Sequence, residues 1–324
     1  MLATMNPDAV IECVPNFSEG TDTAKVAQIV AAMQVEGVRL LDWSLDAAHN
    51  RSVVTIAGSP AAVVESAVRG VGRAAQLINL TKQSGVHPRI GAADVVPFVP
   101  VSGVSLAECA MLARQAGLEI WRRFGVPVYF YEAAAARPDR VNLEDVRRGQ
   151  FEGLRETAHK DAARRPDIGG PEIHHTAGAS AVGARRFLIA YNIYLEAEKQ
   201  QAEAELPAAA QGDIAAARAI ARAIRASAGG LNGVKAIGVS VNGRAQVSMN
   251  ITDFRATPMR QIYAAVRELA HDHGAIATEG EIIGLIPQEA YDPEAEWVAA
   301  IPGFDPEDKV LERKLDHPLP WPEA

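Results

Sequence analysis

The sequence predicts an α+β fold of two tandem ferredoxin-like α/β sandwich subdomains, each with the order β-α-β-β-α-β. Three observations carry this. Short β-branched runs alternate with amphipathic helical stretches along both halves. In each half two strand-like runs follow one another between two helices, the split arrangement in which antiparallel strands carry helices on one face. Between the halves, Arg164 to Ala184 is rich in glycine and proline and has little periodicity, which marks a domain boundary. The division is placed at residues 1–180 and 181–324.

Each element follows from local signals. Ala9 to Val14 is a short strand, and after the turn Pro15 to Gly20 a helix opens near Asp22 or Thr23 with Val26, Ile29, Val30 and Met33 as its apolar stripe. Val38 to Trp43 and Ser52 to Ile56 are strands joined by the polar connection Ser44 to Arg51. Ser59 and Pro60 start a long helix with Val63, Val64, Ala67, Val71, Ala74 and Ile78 on one side. Val95 to Val101 is a strand. Ser105 and Glu108 have capping-box spacing at the start of the next helix, and Val126 to Tyr131 is a further strand. In the second half, Phe187 to Leu195 is a strand and Asp213 to Ala228 an alanine-rich helix. Val234 to Val241 and Ala245 to Ile251 form a hairpin about Asn242-Gly243. Thr257 and Pro258 cap a helix through His273, and Ala275 to Ile286 is the last strand. The proline-rich tail is expected to wrap rather than form a third domain.

Composition excludes several function classes. The chain has 324 residues, 48% hydrophobic, with 40 acidic against 32 basic residues and a formal charge of −8. That balance argues against broad electrostatic capture of nucleic acid or of an anionic membrane. No charged leader precedes an apolar core at the start, and no run of about 18 apolar residues occurs, so secretion and membrane spanning are not expected. The two cysteines, Cys13 and Cys109, are far apart and in no metal-ligand grouping, which points to a reducing cytoplasm.

Two weak signals lead to packing rather than chemistry. Gly70-Val71-Gly72 matches part of a dinucleotide fingerprint but lies in mid-helix by its apolar spacing. His271-Asp272-His273 sits at a helix C-terminus without a third ligand nearby, so no metal site is expected. The stretch Lys82 to Asp94 is richer. It joins a helix to a strand and sets His87, Arg89 and Asp94 among glycines and a proline that hold the backbone on a fixed course. On the residues alone it is either a ligand loop or a loop whose histidine is satisfied locally. Gly169 to Gly178 is likewise either a backbone-lined site for a planar polar ligand or a linker.

At these residues the sequence resembles the glutamate formimidoyltransferase, or formiminotransferase, family. The matching blocks are Glu12-Cys13-Val14-Pro15-Asn16-Phe17-Ser18-Glu19-Gly20, His87-Pro88-Arg89-Ile90-Gly91-Ala92 with Asp94 and Pro97-Phe98, Val126 to Tyr129, Pro166 to Gly169, and Gly183 to Ala190. They span most of the chain. The resemblance implies a ferredoxin-like fold in each half and transfer of the formimidoyl group of N-formimidoyl-L-glutamate to N5 of tetrahydrofolate, a step in histidine breakdown and one-carbon metabolism. It implies a transferase with tetrahydrofolate as co-substrate and no metal. Small molecules, not nucleic acid or membrane, are then its partners, and the enzyme is a cytoplasmic homodimer. A cyclodeaminase fused to the animal transferase is expected to be a separate protein here.

The family's catalytic histidine falls on His87, which suits a proton shuttle because an imidazole titrates near neutral pH. The family's folate-binding segment maps onto Gly169, Gly170, Pro171, Glu172, Ile173, His174, His175, Thr176, Ala177 and Gly178. Glu172 to His175 departs from the animal version. Both substrates carry glutamate carboxylates, so Arg51, Lys82 and Arg89 are candidates for a local anion site, the alternative being ordinary surface charge. Asn16 and Asp94 are expected to orient substrate or His87. Two other readings keep a folate site: use of another one-carbon donor such as 5-formyltetrahydrofolate, and a non-catalytic folate-binding protein.

Overall fold

The computed structural model of the chain describes residues 6–47, 49–83, 88–197 and 206–323, with the backbone alone described over 206–213. The chain divides into two units. The first runs to Arg186 and regains the chain from Pro318 onward, and the second is Phe187–His317.

In the first unit the strand that opens the fold is split by Pro15, which has no N–H for the ladder, into β1 (Val10–Cys13) and β2 (Asn16–Phe17). Helix α1 (Thr23–Ala32) follows, capped by the Asp22 side chain, which accepts from the Lys25 N–H. Strands β3 (Val38–Asp46) and β4 (Arg51–Gly58) form a hairpin, and α2 (Pro60–Leu77) leads to β5 (Ala93–Ser102). The pairings place these strands in the order β5, β1/β2, β4, β3, all antiparallel, which is the ferredoxin-like arrangement. Val54 and Ile56 of β4 pack with Ile11, Phe17, Val26, Ile29, Val63 and Val71 in the core under the helices. Side chains alternate along a strand, so Arg51, Val53 and Thr55 point to the opposite face. Gly70 and Gly72 lie inside α2, where a Cβ on Gly72 would come within 2.2 Å of the Phe124 ring. The packing role expected of that glycine pair holds.

Two strands extend this sheet. Helix α3 (Leu106–Phe124), opened by the Ser105/Glu108 capping box, leads to β6 (Val128–Glu132). The chain then makes the short helices α4 (Leu143–Val146) and α5 (Gln150–Thr157) and returns as β7 (Ser180–Ala184), parallel to both β5 and β6. The glycine- and proline-rich stretch 164–184 is expected to be a boundary, with the division after residue 180. The structure moves the division to Arg186 because Ser180–Ala184 is a fully buried interior strand. A parallel strand buried on both faces has no alternating pattern, and Ser-Ala-Val-Gly-Ala carries no other strand signal. Leu319 donates its N–H to the Leu40 carbonyl at 2.7 Å, so the tail joins the free edge of β3 and belongs to the first unit rather than to 181–324.

The second unit repeats the arrangement. Strand β8 (Ile189–Ala197), helix α6 (Leu206–Ile224), strands β9 (Val234–Val241) and β10 (Arg244–Ile251), helix α7 (Met259–Asp272) and strand β11 (Ala275–Ile283) form an antiparallel sheet in the order β11, β8, β10, β9. Asn242 and Gly243 both take positive φ in the β9–β10 turn. Helix α6 begins at Leu206 rather than Asp213, and Pro207 fits its first turn, where a missing N–H costs nothing. The Thr257 hydroxyl does not cap α7; it donates to the Asn232 carbonyl at 2.7 Å. Cys13 and Cys109 are buried free thiols, and burial pushes that of Cys109 up to about 12.

Candidate functional site

Three sequence-distant segments of the first unit meet at one end of its sheet: the turn after β1, the end of the β3–β4 hairpin, and the connection from α2 to β5. The Ser18 hydroxyl donates to the Gly91 carbonyl at 2.7 Å, and the Ser18 N–H to the Ala92 carbonyl at 2.9 Å. The Gly20 N–H donates to Asn50 Oδ1 at 2.9 Å. A Cβ on Gly20 would lie 2.2 Å from the Asp46 carbonyl oxygen, so only glycine lets the turn press this closely on the hairpin. The polar residues singled out in the sequence blocks are thereby drawn together.

Asp94 is their hub. It is fully buried; its Oδ1 accepts the Ile90 N–H at 2.8 Å, and its Oδ2 accepts Arg51 Nη1 at 3.0 Å and also Arg147 Nη2. Arg51 Nε donates to Asn16 Oδ1 at 3.0 Å, while Asn16 Nδ2 is tied to the Val14 carbonyl at 2.7 Å. Burial by itself would raise the Asp94 carboxyl, but Arg147 and Arg51 outweigh it and hold the group below the usual carboxylate range. Burial and the neighbouring Arg147 push the Arg51 guanidinium down to about 10, against the pull of Asp94, so it stays charged at neutral pH. The result is two guanidinium groups sharing one carboxylate oxygen, a local concentration of positive charge on a chain of net charge −8. Asn16, Arg51 and Asp94 are legible in the sequence, whereas Arg147 is not. It sits just after α4, in a stretch without periodicity, and nothing local marks it.

The flanks of the segment that carries His87 are held separately. Residues 84–87, His87 included, lie outside the described residues. On one side Gln83 Nε2 donates to Glu19 Oε2 at 3.0 Å; Glu19 is itself buried and also accepts Lys25 Nζ at 2.8 Å and the Thr21 hydroxyl at 2.8 Å. Burial would raise the Glu19 carboxyl, yet these donors bring it below its ordinary value. On the other side Arg89 Nη2 donates to the Gln83 carbonyl at 2.9 Å and to Glu152 Oε1 at 3.0 Å. Arg89, named from the sequence as a candidate anion binder, is 8% exposed and has its guanidinium engaged as a brace between Gln83 and Glu152. Lys82 ends a 3-10 turn as an exposed residue with no ion pair to any described residue.

The 169–178 segment lies against the same connection. The Thr176 carbonyl accepts the Leu80 N–H at 2.9 Å, the Ala177 carbonyl accepts the Ala92 N–H at 2.8 Å, and Gly178 bridges Gly91. Gly169, Gly170, Pro171, Glu172 and His175 are exposed, His174 and Thr176 half-buried, and Ile173, Ala177 and Gly178 buried. His174 turns inward: its Nδ1 accepts the Ala177 N–H at 3.0 Å, and burial, with His175 adding to it, lowers its imidazole pKa. Gly178 has φ +70° and a Cβ there would lie 2.1 Å from the Ile90 carbonyl oxygen. Gly178→Ala is therefore expected to cost about 1–3 kcal/mol, read as a lower urea midpoint at unchanged slope.

Among the described residues no group of three His, Cys, Asp or Glu side chains could hold a metal ion, and no helix is long and apolar enough to cross a membrane. The exposed His271-Asp272-His273 run ends α7.

A fold of two ferredoxin-like units with a charged, glycine-braced loop cluster in the first fits a small-molecule transferase, and the comparisons give its family. The formiminotransferase N-terminal subdomain matches residues 10–185 and the formiminotransferase domain matches residues 190–313. The chain belongs to the formiminotransferase family. It is 40% identical over 310 residues to a glutamate formimidoyltransferase of Streptococcus pyogenes serotype M1, covering 94% of this chain and 98% of that protein. A glutamate formimidoyltransferase of Thermoplasma acidophilum is also 40% identical, over 95% of this chain and 98% of its own length. A formimidoyltransferase-cyclodeaminase of Rattus norvegicus is 38% identical over 87% of this chain, which spans 51% of that longer protein.

Proposed function

We propose that the chain transfers the formimidoyl group of N-formimidoyl-L-glutamate to N5 of tetrahydrofolate, giving 5-formimidoyltetrahydrofolate and L-glutamate. The observation that carries this is the near full-length similarity to two glutamate formimidoyltransferases. In the transfer the N5–C bond forms, the C–N bond to glutamate breaks, and one proton passes from N5 to the glutamate nitrogen. His87 takes the proton from N5. Holding donor and acceptor in line supplies much of the remaining acceleration.

The site chemistry supports the substrate assignment. Arg51 and Arg147 offer planar donors suited to carboxylates, which both substrates carry. The backbone of residues 169–178 offers polar groups without bulky side chains to a flat pterin. Tetrahydrofolate is then the co-substrate, the step as written needs no metal, and the enzyme works as a cytoplasmic homodimer in histidine breakdown and one-carbon metabolism. Purified protein given tetrahydrofolate with N-formimidoyl-L-glutamate or with 5-formyltetrahydrofolate tests the donor by pterin absorbance. Turnover is expected with the first alone. Turnover only with the second would replace the donor, and binding without turnover on either would make the chain a folate-binding protein.

A further inference from the structure

We propose that the outer face of α3 is the surface on which two copies of this chain pair, helix against helix and antiparallel. This rests on the homodimer reading above and names the face that makes the dimer. Helix α3 is apolar on two sides. Cys109, Leu112, Ala113, Ala116 and Ile120 are buried in the core of the first unit. On the opposite side Ala107, Met111, Leu118 and Trp121 are exposed, Met111 to 49% and Leu118 to 54%. Among the described residues six large apolar side chains are left exposed, and three of them stand on this one helix. Packing against the core accounts for one apolar stripe; a second, facing water, marks a contact surface.

The order of residues along the stripe points to its occupant. Ala107, Met111, Arg114, Leu118 and Trp121 follow one another at intervals of four, three, four and three, the repeat by which one helix packs along another. The stripe is self-complementary when the second helix runs the opposite way. A two-fold axis midway between Met111 and Leu118 sets Met111 on the partner's Leu118 and the small Ala107 beside the partner's Trp121. It also brings Glu108, in the first turn, near the partner's Arg122, in the last. A parallel pairing would bring like charges together at both ends.

Two further features favour this pairing. Arg114 stands at the axis, and its Nε donates to the Ala134 carbonyl at 3.4 Å, which draws the guanidinium off the stripe and leaves the methylene stem on it. Trp121 is preorganised, because its ring lies against Gly169, where a Cβ would come within 2.5 Å of the indole. The flanks of the helix carry Glu108 and Glu119 together with Arg122 and Arg123, so both signs are present. That mixture matches a second copy of the same helix rather than a strongly acidic or strongly basic partner.

Sedimentation equilibrium of the full chain and of Leu118→Glu tests this. Leu118 faces water in a single copy, so the far-UV circular dichroism of Leu118→Glu should match that of the parent. The parent is expected to sediment as a dimer at micromolar concentration. Leu118→Glu should raise the dissociation constant about 100-fold or more, since two-fold symmetry places the charge in the interface twice. Ile237→Glu, which changes an equally exposed apolar side chain on β9, should leave the dimer as it is. Mild oxidation reads the orientation. Met111→Cys mixed with Leu118→Cys should form an intermolecular disulfide, and neither variant should do so alone; the native Cys13 and Cys109 are buried. A parent dimer that Leu118→Glu leaves intact, that Ile237→Glu weakens equally, or that gives no mixed disulfide would overturn the proposal, as would a disulfide from Met111→Cys alone. A parent chain that stays monomeric would instead remove the homodimer reading on which it rests.

Discussion

His87→Ala is expected to lower kcat by about 10²–10⁴-fold while tetrahydrofolate still binds, because positioned proton transfer contributes about that factor and the folate segment does not depend on the imidazole. The structure adds a reason to expect a clean result. The chain on each side of 84–87 is anchored independently of the histidine, by Glu19 through Gln83 and by Glu152 through Arg89. The Ile90 N–H is fixed on Asp94 and the Ser18 hydroxyl on the Gly91 carbonyl. None of these anchors of the flanking residues involves the imidazole, so its removal should leave them in place. Single-turnover kinetics alongside folate binding check it: unchanged kcat would remove His87 from the chemistry, and lost folate binding would make its role one of binding.

Asp94→Asn is expected to be the most destabilising change in the site. Removing one partner from a buried ion pair costs about 3–5 kcal/mol, since the other charge is left uncompensated, and here two guanidinium groups would face each other. The pH dependence has a definite sign. The native Asp94 carboxyl lies below its ordinary value, so its contribution is complete above the unfolded carboxyl pKa of about 3.9 and is lost as pH falls through the lower native value. Urea midpoints measured from pH 7 into the acid range should therefore converge for the parent and Asp94→Asn as the medium becomes acidic. A constant difference would place the cost elsewhere than in the charge. Because Arg51 and Arg147 lose their shared anchor, KM for the formimidoyl donor should rise as well.

Much of the site was legible because its residues sit in blocks of special backbone. Gly20, Gly91 and Gly178 each allow a contact with backbone atoms that a Cβ would block, and these contacts carry Asn16, Asp94 and the 169–178 segment into one place. Arg51 could be named for its charge, and its partner Asp94 for its loop. What stayed hidden depends on tertiary register. Arg147 follows a four-residue helix with no pattern to mark it, and reaches Asp94 from 53 residues away. Arg89 shows the opposite case: its loop suggests a ligand contact, and the fold turns it inward to Glu152 and the Gln83 carbonyl. The same limit hid β7, whose small residues are set by burial between β5 and β6 rather than by alternation.

The two ferredoxin-like patterns were readable because each uses antiparallel strands with one covered face, the case in which hydrophobic periodicity carries most information. The first unit exceeds that pattern by two parallel strands, and those strands bring the 169–178 segment beside the loop that leads into β5.

Tetrahydrofolate is expected to present N5 to His87 with its pterin along residues 169–178. A crystal structure of the enzyme with a tetrahydrofolate analogue tests it most directly. N5 is expected within about 3 Å of the His87 imidazole, directly or through one water, and the pterin against the backbone between Gly169 and Gly178. A folate bound away from that backbone, or with N5 beyond the reach of His87, would contradict it.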